Sequence, residues 1–103
     1  MPTNADAIAD LEAARETLKG QRATGGASSF TRLLIALQRI TDEINALKRN
    51  GPETDSYAPR TEAFKSDMLA GQYFAEELAS VAAEFASVAA VAPAVEKVRR
   101  YIH

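Results

Sequence analysis

FAEELASVAAEFASVAAVA, residues 74–92, decides how this chain folds. Read in sevens it repeats: ASVAAEF at residues 79–85 runs straight into ASVAAVA at residues 86–92. Phe74, Leu78, Val81, Phe85 and Val88 step by four and three, the spacing of the seam of a packed helix. The remaining faces are mostly Ala and Ser. A helix that is small or apolar on nearly every side is a helix that must be surrounded.

Upstream, Pro59 suits the first position of a helix, and Phe64, Met68 and Leu69 supply an apolar side. Gly71 costs about 1 kcal/mol relative to Ala in a helix interior, so the helix either breaks there or uses the glycine to admit a neighbouring backbone. Helical spacing resumes at Phe74, which predicts one continuous helix over about 60–92, on the order of 50 Å long. Pro93 cannot sit in an unbroken interior without a kink. It is expected to open a short last helix over about 94–102, with Val95, Val98 and Ile102 on one face and Lys97, Arg99 and Arg100 near its negative end.

Two helices precede this one. Phe30, Leu33, Leu37, Ile40, Ile44 and Leu47 form an unbroken heptad seam and predict a helix over about 28–49. Ser28 or Ser29 caps it, Lys48 and Arg49 occupy its last turn, and Asn50-Gly51-Pro52 ends it. Leu34 flanks the seam, and Ile35 lies nearly opposite it as a second apolar contact. Arg39 and Glu43 are spaced for an i,i+4 pair. The first helix spans about 4–19, capped at Thr3 or Asn4, with Ala7, Ile8, Leu11, Ala14 and Leu18 as its stripe and Gly20 as its stop. Residues 20–27 read as a plain linker, because the Gly-Lys-Ser/Thr ending of a phosphate loop is missing. In the second loop Tyr57 is the one large group, expected to fold back onto the bundle end.

These elements make an all-α antiparallel bundle of three main helices with a short C-terminal helix after Pro93, in a single domain over 1–103. Lengths then raise a problem. The second helix is about 33 Å long, so the third, returning beside it, passes its start near residue 82. Everything after that protrudes, yet residues 83–98 are the least charged part of the chain. Completion by dimerisation covers them, through Leu78, Val81, Phe85, Val88, Val91 and Val95. A break at Gly71, letting a monomer close as a four-helix bundle, is the competing arrangement.

The balance of charge, −2 with a pI near 5.4, argues against a dedicated nucleic-acid binder. With no Cys, there is no disulfide, thiolate chemistry or Cys-based metal site. Residues 1–14 lack the pattern of a secretory signal, and a span over 78–95 is opposed by Glu84 and Pro93, so no transmembrane span and a cytoplasmic location are expected. His103 is the single histidine, at a position expected to fray, and no Glu-x-x-His pair exists. Neither a cofactor nor a metal nor a catalytic residue is expected. Glu84, alone among apolar residues, is expected to reach water or a basic residue of another helix.

The expected function is therefore non-enzymatic: a small bacterial-type protein acting by binding, as a homo-oligomeric adaptor or assembly subunit. The alternative is an inhibitor or immunity-type protein that caps a different protein partner. A third reading, disfavoured by the acidic balance, is a nucleic-acid-associated dimer using Arg32 and Arg39, one heptad apart. Ile35 and Tyr57 are candidate secondary contacts.

Overall fold

The computed structural model describes residues 2–21, 27–50 and 55–103, with residues 27–30 and 50 described by backbone alone. Within them the chain is all-helical: α1 (Asn4–Lys19), α2 (Ala27–Asn50), a 3-10 turn (Glu62–Phe64), α3 (Leu69–Glu84) and α4 (Val91–Arg99). α1 packs on α2 and α4, and α3 packs on the same two. Each helix therefore lies between two neighbours around one core. Among the described residues no helix is long and apolar enough to cross a membrane.

α1 begins with a capping box. Thr3 accepts from the Asp6 N–H through its hydroxyl, and Asp6 accepts from the Thr3 N–H through its carboxylate. The same contacts, the Thr3 N–H first, hold the Asp6 carboxyl below its usual range. Ala7, Leu11, Ala14 and Leu18 line the buried stripe of α1. On α2 the stripe is Leu33, Ala36, Ile40, Ile44 and Leu47, with Leu37 half-buried beside it. The expected Ser28 or Ser29 cap, Phe30 in the seam, and the expected ending at Gly51-Pro52 lie outside the residues or side chains described.

The expected continuous helix over 60–92 does not form. The chain makes a single 3-10 turn at Glu62–Phe64, stays non-helical to Met68, runs as α3 to Glu84, turns through residues 85–90 and restarts as α4 at Val91. Pro93 explains the second interruption. In an uninterrupted helix its ring would meet the Ala89 carbonyl and its missing N–H would leave that carbonyl without a donor. As the third residue of α4 it needs no N–H partner. The turn uses tighter bonds, from the Val88 N–H to the Phe85 carbonyl (2.9 Å) and from the Val91 N–H to the Val88 carbonyl (3.1 Å). This redirection lays Val91, Ala94, Val95 and Val98 into the core, with α4 against α1. The short C-terminal helix expected over 94–102 thus starts three residues early and includes Pro93.

Gly71 is where the first interruption is decided, as a close approach rather than a break. It lies in the first turn of α3 and is buried. A Cβ built there would stand 2.0 Å from the carbonyl oxygen of Lys65. Residues 65–68 therefore fold over the start of α3 against a bare backbone.

The linker from α2 to α3 also receives both ends of the described chain. The Asn4 N–H donates to the Asp55 carbonyl (2.7 Å), and the Tyr57 N–H donates to the Pro2 carbonyl (2.9 Å). The His103 N–H donates to the Phe64 carbonyl (3.0 Å), and the Ser66 N–H donates to the His103 carbonyl (2.7 Å). His103, expected to fray, is thus tied at its backbone.

Gly71→Ala is expected to destabilise the fold by about 1–3 kcal/mol, read from urea unfolding, because the new methyl meets fixed backbone. At Gly20 the nearest atom to a Cβ is the Thr17 carbonyl at 3.4 Å. Gly20→Ala is therefore expected to be neutral or to stabilise by up to about 1 kcal/mol.

Candidate interaction surface

The residues expected to form a self-association surface are occupied within the chain. Leu78, Val81, Phe85, Val91 and Val95 are buried, and Val88 packs half-buried against them. α3 ends at Glu84 instead of protruding, and the turn after it with α4 brings Phe85, Val91 and Val95 into the core, while Ala83, Ala86, Ala89 and Ala90 remain exposed. Tyr57 is likewise buried, whereas Ile35 is exposed.

Arg32 and Arg39 are both engaged with α3. Arg32 Nη1 lies 2.5 Å from Glu84 Oε1. Arg39 reaches Glu77 through Nε (3.3 Å) and Nη2 (3.4 Å), and its guanidinium sits 5.9 Å from the Phe74 ring centre. Glu84 meets a basic residue of another helix, one of its two expected situations. The two pairs run antiparallel, 32 with 84 and 39 with 77, and so mark the register of α2 on α3. Partly exposed pairs of this kind contribute roughly 0–1 kcal/mol each.

The pairing expected between Arg39 and Glu43 does not occur, because Glu43 turns inward and is fully buried. Its carboxylate accepts from the Arg60 N–H (3.0 Å), the Thr61 N–H (2.9 Å), the Thr61 hydroxyl (2.8 Å) and the Tyr57 hydroxyl (3.0 Å). The single Tyr57 proton is shared with the Tyr101 carbonyl, 2.8 Å away. Tyr57 stands edge-on to both Tyr101 (5.0 Å) and His103 (5.4 Å). Tyr101 in turn donates its hydroxyl to Asp10 on α1. Burial first, then the Glu43 carboxylate, push the Tyr57 phenol above its usual range. Burial first, then the bond to Asp10, do the same at Tyr101. One signal for Glu43 was present in the sequence: residues 40, 43, 44 and 47 share a helix face, and three of the four are apolar core residues.

The network joins α1, α2, the linker and the residues after α4, and every polar contact in it is spent on the fold. Among the described residues no group of three or more His, Asp or Glu could hold a metal ion. Between α1 and α2 lies a shallow cleft of about 330 Å³, lined by Arg15, Lys19, Leu34, Leu37, Gln38 and Thr41.

An apolar surface lies on α3. Gly71, Phe74, Leu78 and Val81 occupy the inner face of α3. Leu69, Gln72, Tyr73 and Glu76, spaced i, i+3, i+4 and i+7, lie on the opposite face and are exposed. Leu69 keeps 63% and Tyr73 54% of its surface in solvent, and Met68 beside them is also exposed. The apolar side expected from Phe64, Met68 and Leu69 is therefore split: Phe64 is core, and the other two face water.

Glu43→Ala is expected to cost about 2–4 kcal/mol in urea unfolding, since it leaves a cavity and strips two half-buried N–H groups and the buried Tyr57 hydroxyl of their shared acceptor. Tyr57→Phe is expected to cost about 1 kcal/mol, and Arg32→Ala less than that. No family model matches the chain, and no curated protein or solved structure matches it.

Proposed function

We propose that this protein works by binding another protein, without catalysis, through the outer face of α3 formed by Met68, Leu69 and Tyr73. One observation carries the reading: the large apolar residues of the low-charge segment, Phe85, Val91, Val95 and Val98, are buried within the chain's own core, while the two most exposed large apolar side chains among the described residues stand one helical turn apart on α3. Leu69 and Tyr73 make no contribution to the core that would explain their placement, and Tyr and Met are side chains favoured at protein interfaces. This supports the inhibitor or adaptor type of role, toward a different partner, over the homo-oligomer. Arg32 and Arg39, spent on Glu84 and Glu77, give a nucleic acid little to bind.

Light scattering over a hundredfold concentration range is expected to return the monomer mass of 11.1 kDa. Phe85→Ala is expected to lower stability by about 3–5 kcal/mol and leave that mass unchanged. Leu69→Asp with Tyr73→Asp is expected to keep the thermal unfolding transition and to lose a stoichiometric partner that the unaltered chain captures from its own cell extract. A dimer that the aspartate pair dissociates would assign this face to self-association instead.

A further inference from the structure

Resting on that reading of the α3 face, we infer that its partner is a basic amphipathic helix: an apolar stripe flanked by Lys or Arg. The first argument is charge. Asp67 immediately precedes the face and Glu76 closes it, and both are exposed without an ion pair among the described residues. Glu62, on the 3-10 turn just before, is exposed as well. Against these three carboxylates stands the half-buried Lys65 as the one cation between residues 60 and 77. Glu77 does not join the rim, because Arg39 neutralises it. An apolar pair edged by unpaired carboxylates attracts a segment whose apolar residues are edged by cations.

The second argument is shape. Leu69 and Tyr73 are successive steps along one helix face, about 6 Å apart at Cβ, with Gln72 beside them. That spacing matches an i,i+4 apolar pair on a facing helix. The third argument concerns the competing occupant, a second copy of this chain. A two-fold contact through this face would bring the same patch to itself, so the carboxylate rim would meet a carboxylate rim. Like charges brought together in a desolvating contact oppose association, which removes self-pairing as the economical cover.

The test uses two fluorescent peptides of one helical Leu pattern, one with Lys at every polar position and one with Glu, titrated into the full chain and followed by anisotropy. At roughly 50 mM salt the Lys peptide is expected to bind at least about tenfold more tightly than the Glu peptide, and the gap should narrow near 500 mM. Tyr73→Ala should weaken the Lys peptide about tenfold or more, and Asp67→Lys with Glu76→Lys should invert the preference. Equal binding of both peptides, lost together in Tyr73→Ala, would overturn the basic partner while leaving α3 as the protein-binding face. Binding of the Lys peptide that Tyr73→Ala leaves untouched, or no binding of either peptide, would overturn both.

Discussion

The buried carboxylate of Glu43 decides where the second half of the chain sits. Removing a carboxylate from water is costly unless its oxygens are met by donors. Here the donors come from the linker: two consecutive backbone N–H groups, at Arg60 and Thr61, the Thr61 hydroxyl and the Tyr57 hydroxyl. A carboxylate bonded to adjacent N–H groups ahead of the 3-10 turn does from across the bundle what a capping side chain does locally. It holds the linker against α2 and so determines the point at which α3 can begin. The start of α3 determines its register. From the register it follows that Phe74, Leu78 and Val81 point in and that Leu69 and Tyr73 point out.

The same linker gathers the extremities of the structure. Pro2 and Asn4 bond to it on one side, and His103 bonds to it on the other. Tyr101 adds a side-chain tie to α1 through Asp10. α4 can therefore close on α1, and closure is what buries Val91, Val95 and Val98, while Ala83, Ala86, Ala89 and Ala90 stay in solvent. Two backbone facts permit this path. Pro93 forbids a straight continuation of α3 into α4, and the absence of a side chain at Gly71 lets the Lys65 carbonyl lie against the helix.

Much of this was legible in the sequence where the evidence was periodic. The stripes Ala7-Leu11-Ala14-Leu18 and Leu33-Ile40-Ile44-Leu47 placed α1 and α2 close to their observed ranges, because stripes that long admit one face only. The seam Leu78-Val81-Phe85 was equally legible as core. Periodicity shows that a face is covered, however, and not by what, and within this chain Leu78, Val81 and Phe85 are covered by its own core. The turn at 85–90 contains neither Gly nor Pro, and its cause sits downstream at Pro93. Glu43 was missed because a charged residue at i+4 from Arg39 reads as a surface pair, although its neighbours Ile40, Ile44 and Leu47 placed it inside. The α3 face was missed for the opposite reason. Apolar residues were assumed to be core, and exposed Leu and Tyr break that rule without any local mark.

The measurement closest to the centre of this account is native-state hydrogen exchange at the Arg60 and Thr61 amides. If Glu43 holds the linker to the bundle, these two amides exchange only through the opening that also exposes Leu78 and Val81 in α3, and Glu43→Ala releases them. Exchange of Arg60 and Thr61 at the rate of a solvent-exposed loop, with α3 still protected, would contradict it.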